Sequence, residues 1–399
     1  MTTSKPHIAI LGSGPTGLEA ALAASEAGFP FTVYEAAPEV AGNVRAWGHV
    51  RLFTPWNLNV SPRMRRHLPD APSSDTECTT GNELVEKLLA PLAALPAIAP
   101  NLRLGTRVVA IGREGLLKHE EIATAERGRR PFRLVVAGPD GRERAESAAI
   151  VIDATGTYGN PNYLGDGGIP APGERAAASE DGAIRRSIPD FSREASDWAG
   201  KTILLAGAGH SAQTAVRDLA ALAQDAPGTR VIWALRSAEP GWGSHDGDPL
   251  PARAGLAVNA AALASGASPA IETRRGVAIE EITRPNGKLC VVLRNDNGSE
   301  DVLVDKILAL TGYVGDNDLY RQLQVHECYA TCGPIKLSGA LLGAAGGDCL
   351  TQTSHGVDTL TNPEPGFYIL GIKSYGRTNT FLMRVGWDQV AEVFGALGG

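Results

Sequence analysis

Two similar glycine-rich turns lie far apart in this 399-residue chain. The first is Gly12-Ser-Gly-Pro-Thr-Gly17 and the second is Gly207-Ala-Gly-His-Ser-Ala212. Each follows a short apolar run typical of a strand buried on both faces of a parallel sheet, and each precedes a stretch rich in helix formers. A glycine-rich turn in this context predicts a βαβ unit, so we expect two such units.

In the first unit we expect strand His7–Leu11, a helix over Leu18–Ala27 that ends at Gly28, and strand Phe31–Tyr34. The three glycines of the turn allow a tight bend, close approach of the backbone to a pyrophosphate, and close packing of helix on strand. The helix N-terminus offers unpaired N–H groups to the anion. Glu35 ends the second strand, where a carboxylate can accept hydrogen bonds from a ribose diol. The predicted dinucleotide contacts are Gly12, Gly14, Pro15, Thr16, Gly17 and Glu35.

In the second unit we expect strand Lys201–Ala206, helix Ser211–Leu222 and strand Arg230–Leu235. Ala212 stands at the third glycine position, where a small residue still permits close packing. Arg236 follows the second strand, and a cation there suits the 2′-phosphate of NADP(H). The alternative is an ordinary surface arginine at a strand end. The predicted contacts are Gly207, Gly209, His210, Ser211, Ala212 and Arg236.

In the first βαβ unit the second strand is followed by Glu35, and in the second unit it is followed by Arg236. A chain with two such units resembles the two-dinucleotide-binding-domain flavoproteins, which include flavin-containing monooxygenases and thioredoxin reductases. The segments Ile150–Gly156 and Ile307–Tyr313 are similar to those that close the two domains in this group. The resemblance implies an α/β fold with two Rossmann-like, doubly wound domains that bind FAD and NADPH. The FAD domain would comprise residues 1–157 and 312–399, and the NADP domain residues 158–311.

The same resemblance implies a small antiparallel β excursion within residues 103–136, with Leu102–Leu104 as one of its short strands. Residues 158–200 are expected to form a long connection into the second domain. A final helix is expected over approximately Thr380–Leu397, with its first N–H groups directed at the flavin. The further FAD contacts that the resemblance implies are Thr155, Gly156, the backbone of Val109, Gly371 and Thr380.

The positions of the cysteines help to distinguish the thioredoxin reductases from the monooxygenases within this group. A thioredoxin-reductase-like enzyme needs a dithiol in its NADP domain, but residues 158–311 contain only Cys290. The Gly-Asp pair of those enzymes is also missing, because Gly371 is followed by Ile372 and Lys373. The chain therefore looks like a monooxygenase that oxygenates a soft nucleophile, namely nitrogen, sulfur or a metalloid, through a C4a-(hydro)peroxyflavin. It departs from the monooxygenase fingerprint, since Arg186-Ser187 stands where His-Ser is expected.

The segment Ala41–Asn57 is the part most particular to this chain, and it is similar to flavoproteins associated with arsenic resistance. Arg45 or Arg51 could neutralise phosphate charge or a developing flavin anion. His49 could move protons near neutral pH. The alternative is that the aromatic residues of the segment pack in a core and that His49 is a hydrogen-bonded structural residue. We take Arg51 and His49 as the catalytic candidates and Arg45 as a cofactor contact.

Composition excludes several other classes. The formal charge of −7 argues against a nucleic-acid surface, and the short basic run Arg127-Gly-Arg-Arg130 is expected at a solvated hairpin tip. No segment approaches the roughly 20 apolar residues that span a bilayer, so we expect a cytoplasmic protein without membrane contact. The expected partners are a small-molecule substrate, molecular oxygen and a second copy of the chain in a homodimer.

Five cysteines do not suggest a disulfide framework, and no set of residues has zinc-site spacing, so no metal is expected. The spacing of Cys328 and Cys332 could place both on one face of a helix. Two alternatives to a monooxygenase stay open. One is an NADPH-dependent reductase or dehydrogenase that uses this cysteine pair, and the other is a flavin-binding redox sensor.

Overall fold

The computed structural model describes residues 5–179, 182–243, 247–343, 350 and 353–398. Cys349 lies outside them. The strands in chain order are β1 (Ile8–Leu11), β2 (Phe31–Tyr34), β3 (Arg51–Pro55), β4 (Cys78–Thr80), β5 (Leu102–Arg103), β6 (Arg107–Arg113), β7 (Phe132–Ala137), β8 (Glu143–Ala148), β9 (Ile150–Asp153), β10 (Ile184–Arg185), β11 (Thr202–Ala206), β12 (Arg230–Leu235), β13 (Ile271–Arg275), β14 (Ala278–Thr283), β15 (Leu289–Asn295), β16 (Gly298–Val304), β17 (Lys306–Ala309) and β18 (Phe367–Ile369).

The α-helices in chain order are α1 (Pro15–Glu26), α2 (Gly42–Ala46), α3 (Pro62–His67), α4 (Gly81–Leu84), α5 (Ala90–Ala93), α6 (Ala125–Arg129), α7 (Glu174–Ala178), α8 (Ala195–Trp198), α9 (His210–Asp225), α10 (Pro251–Ala264), α11 (Ile335–Gly343), α12 (Val357–Leu360) and α13 (Met383–Gly398). None of the helices in the described ranges combines the length and apolar character needed to cross a membrane.

The chain divides into two compact units. The first unit comprises Met1–Asn160 and Tyr313–Gly399, and the second comprises Pro161–Gly312. The boundaries predicted from the sequence, after residues 157 and 311, lie close to these points. The first unit contains the first glycine turn, and the second unit contains the second.

The first unit is built on a parallel sheet with the strand order β18-β9-β1-β2-β5. Ile8 of β1 pairs with Phe31 of β2 on one side and with Ile150 of β9 on the other. The expectation that Leu102–Leu104 belongs to the antiparallel excursion is wrong, because β5 pairs in parallel with β2 at the sheet edge. The short apolar pattern of this segment suits either kind of sheet, so the sequence alone could not distinguish them.

Alternate side chains of this sheet enter two different cores, as the two-residue period of a strand requires. Ile8 and Ile10 pack in a core formed with α1 and α13. Ala9 and Leu11 pack on the opposite face against the antiparallel sheet β6-β7-β8. That sheet is the predicted excursion, so its existence is confirmed.

The second unit repeats this design. Its parallel sheet has the order β10-β17-β11-β12-β13, and an antiparallel sheet β14-β15-β16 packs on one face. Leu204 and Ile307 of the parallel sheet share a core with Val291 and Leu293 of β15. This second antiparallel sheet was not predicted from the sequence. Residues 158–200, which were predicted to be a connection, supply edge strand β10, which pairs in parallel with β17.

Three local expectations require correction. The last helix begins at Met383, three residues after the predicted start at Thr380. The helix after the second glycine turn begins at His210, one residue before the predicted start at Ser211. Cys328 and Cys332 do not lie on a helix. Cys332 has a φ of +61° and its N–H donates to the carbonyl of Cys328 (2.8 Å), so the two residues form a tight turn.

The expectation of a solvated tip at residues 127–130 is wrong for Arg127, whose side chain is fully buried. Arg127 and Arg113 both pair with the buried carboxylate of Glu364, each at 2.8 Å. The Arg113 guanidinium also lies 3.6 Å from the ring centroid of Phe132. Burial lowers the pKa of Arg113, and the Glu364 carboxylate opposes this shift. Because Glu364 is 237 residues from Arg127 in the chain, the short basic run gave no sign of this partner.

Candidate functional site

The first glycine turn joins β1 to α1 and leaves backbone open to a ligand. Gly12 has a φ of +98°, and a Cβ there would lie 2.7 Å from the carbonyl oxygen of Ala154. A Cβ at Gly17 would overlap the carbonyl of Gly12, whereas a Cβ at Gly14 would meet no atom within 4 Å. Helix α1 starts at Pro15 without a side-chain cap. The turn therefore has open space and uncapped N–H groups in one place, which is the arrangement that binds a phosphate.

Glu35 lies beside this turn and is held in position by it. Its Oε2 accepts hydrogen bonds from Ser13 N–H (2.9 Å) and Ser13 Oγ (2.6 Å), and its Oε1 accepts one from Ala37 N–H (2.9 Å). A carboxylate can accept about four hydrogen bonds, so Glu35 keeps capacity for a further donor. The structure thus places a fixed acceptor next to the first glycine turn.

Residues from the end of the chain enclose the start of α1. A Cβ at Gly371, which has a φ of +75°, would lie 2.8 Å from Thr16 Oγ1. The N–H of Gly371 donates to the side chain of the buried Gln389 (2.8 Å). Thr380 precedes α13, and its hydroxyl is buried without a partner among the described residues. Gly371 and Thr16, which are both predicted cofactor contacts, are therefore neighbours.

A buried ion pair supports the loop that contains Thr155 and Gly156. Asp153 ends β9, and its Oδ1 accepts hydrogen bonds from Thr155 N–H (3.1 Å) and Oγ1 (2.7 Å). Its Oδ2 pairs with Lys373 Nζ at 2.6 Å, and both side chains are at most 1% exposed. Lys373 Nζ also donates to the carbonyl of Asp316 (2.7 Å). Sequence reasoning missed this pair, although an aspartate at the end of the apolar run Ile150-Val-Ile was a possible signal.

The arginines singled out from residues 41–57 are bound to protein groups. Arg45 Nε donates to the carbonyl of Val40 (3.1 Å) and pairs with Glu39 (3.1 Å). Arg51 bonds the carbonyl of Cys78, lies 3.9 Å from Glu83, and is 62% exposed. Neither contact prevents a further bond from the remaining guanidinium nitrogens.

His49 differs from these arginines, because its Nε2 is buried with no hydrogen-bond partner among the described residues. The indole N–H of Trp47 has the same property. Trp47 packs closely on Gly81, where an added Cβ would lie 2.7 Å from the ring. Trp56 is 1% exposed and belongs to the core, as the packing alternative expected. Two unbonded polar atoms so close in sequence fit a site that a ligand completes.

Val109 lies in β6 at an irregularity of the ladder. Val108 pairs with Val136 and Ala110 pairs with Val135, so the register passes over Val109. The residue is 37% exposed. A residue that is left out of the ladder has backbone groups that can bond a ligand. The role predicted for Val109 is a backbone contact with FAD.

The second glycine turn has the geometry of the first. Gly207 has a φ of +126°, and a Cβ there would overlap the carbonyl of Leu310. Gly209 faces open space, and Ala212 is fully buried against the turn. Helix α9 starts at His210 without a side-chain cap, and Ser211 is exposed in its first turn. The backbone arrangement again fits a phosphate.

Two arginines lie at the carboxyl ends of neighbouring strands near this turn. Arg236 follows β12, is exposed, and makes no side-chain hydrogen bond or ion pair within the described part of the chain. Arg275 ends β13 opposite Leu235, and among the described residues its guanidinium bonds two carbonyl oxygens, the nearer being that of Ala264 (3.3 Å). Arg275 was not among the residues predicted from the sequence. Two neighbouring cations can bind an anion.

Comparisons with known proteins bear on the fold. A family profile described as an NAD(P)-binding Rossmann-like domain matches residues 10–66, which include the first glycine turn and Glu35. No curated protein sequence matches the chain.

Within the described residues, no group of three or more His, Cys, Asp or Glu side chains is arranged to hold a metal ion.

Solved structures match the whole chain. The bacillithiol disulfide reductase of Bacillus cereus has a TM-score of 0.71 and 18% identity, with 99% of each chain covered. The ornithine N-hydroxylase of Kutzneria sp. 744 has a TM-score of 0.63 and 14% identity over 100% of each chain. The flavin-containing monooxygenase of Stenotrophomonas maltophilia has a TM-score of 0.58 and 17% identity, covering 99% of this chain and 98% of that chain. The predicted α/β fold with two Rossmann-like domains is thereby confirmed.

Proposed function

We propose that the first unit binds FAD, that the second binds NADPH, and that the protein is an oxidoreductase. The observation that carries this proposal is the repeat of one glycine-turn geometry in two units, with Glu35 beside the first turn and Arg236 beside the second. The comparisons support it, because the ornithine N-hydroxylase of similar fold was solved with reduced FAD and NADP⁺.

The first unit fits FAD through several groups. The turn at Gly12–Gly17 would hold the pyrophosphate, and Glu35 the ribose diol. The unbonded buried atoms of His49 and Thr380 would bond polar atoms of the flavin. Bound FAD would supply the capacity to accept a hydride from NADPH and to pass electrons to oxygen. The protein supplies position and exclusion of water.

We further propose a monooxygenase. One substrate molecule, O₂, NADPH and a proton would give the oxygenated substrate, water and NADP⁺, with a nitrogen, sulfur or metalloid centre accepting the oxygen atom. This choice is supported by the second unit, whose sequence contains a single cysteine. Cys290 lies on β15 opposite Leu303, so this unit has no dithiol to exchange electrons with a disulfide substrate.

The test is oxygen incorporation from ¹⁸O₂. Purified protein with FAD and NADPH is given candidate amines, thioethers and trivalent arsenicals, while NADPH, O₂ and H₂O₂ are measured. We expect one labelled oxygen atom in the product for each NADPH consumed with the true substrate. Stoichiometric H₂O₂ with every candidate, and no labelled product, would contradict the monooxygenase.

An NADPH-dependent reductase is a second candidate, and it is favoured by the turn that contains Cys328 and Cys332. Hydrogen bonds from Thr331 and its neighbours lower the pKa of the Cys328 thiol, which increases the thiolate fraction. Because we assign no redox role to this turn, we expect Cys328→Ser/Cys332→Ser to keep NADPH turnover within about twofold of the unchanged protein. Loss of turnover with normal FAD content would favour the reductase.

The choice of nucleotide should depend on Arg236. Arg236→Ala removes an exposed cation at the proposed 2′-phosphate site, and we expect the KM for NADPH to rise about tenfold. The KM for NADH should change little, because NADH lacks the phosphate. Arg230→Ala is the matched control, since Arg230 is exposed at the opposite end of the same strand. An unchanged preference for NADPH in Arg236→Ala would show that this residue does not bind the phosphate.

A further inference from the structure

Two buried side chains hold the carbonyl groups of the second glycine turn. The indole N–H of Trp233, on β12, donates to the carbonyl of Gly207 (2.8 Å). The amide of Gln213, on α9, donates to the carbonyl of Ala208 (2.9 Å). Trp233 is 0% exposed and Gln213 1% exposed, so both donors are fixed by the core around them.

These two hydrogen bonds determine where the turn directs its N–H groups. In a trans peptide the C=O and the N–H point in opposite directions. Fixing the carbonyls of Gly207 and Ala208 therefore turns the N–H groups of Ala208 and Gly209 away from the two side chains. The space beside Gly209 is open, since a Cβ there would meet no atom within 4 Å. Each of the two carbonyl oxygens accepts a hydrogen bond from a side chain, which weakens its repulsion of an anion.

A loop residue completes this arrangement. The same amide nitrogen of Gln213 donates to the carbonyl of Trp242 (2.9 Å). Trp242 has a φ of +52°, a conformation unusual for a residue with a side chain. Its ring lies 5.2 Å from that of Trp233, at an angle of 45°. Gln213 thus joins the glycine turn to the loop, while the two indoles pack on each other.

We propose that Gln213, Trp233 and Trp242 form a clamp that positions the second glycine turn for the phosphates of a nicotinamide nucleotide. The proposal rests on the proposed function of the second unit. Trp233 and Trp242 are positioning residues, because they act through the turn, and the Gln213 amide nitrogen acts in the same way. At the first turn, in contrast, the N–H of Ser13 donates to the carboxylate of Glu35. The buried Oε1 of Gln213 has no partner among the described residues, and it can accept a bond from a ribose hydroxyl of the nucleotide.

The test compares nucleotide binding by variants of the FAD-loaded protein. Gln213→Met keeps the length of the side chain but removes both donors, and we expect the Kd for NADP⁺ and the KM for NADPH to rise about tenfold. The fall in kcat should be much smaller, because the clamp acts on binding. Trp242→Ala should weaken binding about fivefold, and Trp242→Phe should restore it because a ring remains to pack on Trp233.

Matched controls separate this effect from general damage. Gln224→Met changes an exposed glutamine on the same helix, and Trp198→Phe changes a buried tryptophan of the same unit. Calorimetric titration with NADP⁺ measures Kd, and flavin absorbance measures FAD content. If the unchanged protein fails to bind NADP⁺, the proposed function of the second unit is wrong. If it binds, and Gln213→Met and Trp242→Ala bind equally well, the clamp is wrong. Should Gln213→Met not fold, the two Trp242 variants decide alone.

Discussion

Glu364→Gln is expected to lower the free energy of unfolding by about 3–5 kcal/mol. The Glu364 carboxylate is the shared partner of Arg113 and Arg127, and all three side chains are 0% exposed. Glutamine keeps the size of the side chain but removes the negative charge, so two buried cations lose their counterion. The same carboxylate accepts the N–H of Gln324 (2.8 Å), which links a fourth segment to the cluster.

Urea unfolding followed by circular dichroism measures this effect. Glu86→Gln is the matched control, because Glu86 is exposed on the same unit, and it should change the free energy of unfolding by less than about 0.5 kcal/mol. Equal stability of the two variants would mean that the buried cluster does not depend on the Glu364 charge.

Lys373→Met is expected to lower the free energy of unfolding by about 3–5 kcal/mol. It should also lower the FAD content of the purified protein. Methionine fills similar space but leaves the carboxylate of Asp153 buried without its cation. That carboxylate holds the N–H and hydroxyl of Thr155, in the loop proposed to contact FAD. Lys373 also bonds the carbonyl of Asp316, so its loss affects two segments of the first unit.

Two further variants test the cause. Lys336→Met removes an exposed lysine that donates to Thr361, and it should leave the free energy of unfolding almost unchanged. Asp153→Asn with Lys373→Met removes both charges, and it should recover part of the stability lost in the single variant. If the double variant is less stable than Lys373→Met alone, the uncompensated charge is not the cause of the loss.

The glycine turns were the part of the fold that the sequence predicted best. A buried strand, a glycine pattern and a helix are adjacent in the chain, so the constraint is local. The open space at Gly14 and Gly209, and the overlaps that a Cβ would make at Gly17 and Gly207, follow from this local pattern. The fixed position of Glu35 was predictable for the same reason.

The buried charges were not predictable, because their partners lie far away in the sequence. Lys373 and Asp153 are 220 residues apart, and Arg113 and Glu364 are 251 apart. Periodicity and composition describe neighbours along the chain, whereas these pairs exist only after the sheet has formed. The clamp on the second turn was missed for a different reason. A glutamine inside a helix and a tryptophan inside a strand carry no sequence signal of the carbonyl groups that they bind.

We propose that the first unit binds FAD, that the second binds NADPH, and that NADPH passes a hydride to the flavin. Anaerobic addition of NADPH to the FAD-loaded protein tests this claim most directly, with flavin absorbance near 450 nm as the readout. We predict bleaching of the flavin by one equivalent of NADPH, at a rate that rises and saturates with NADPH concentration. A protein that holds FAD but keeps its full flavin absorbance with excess NADPH would contradict the account.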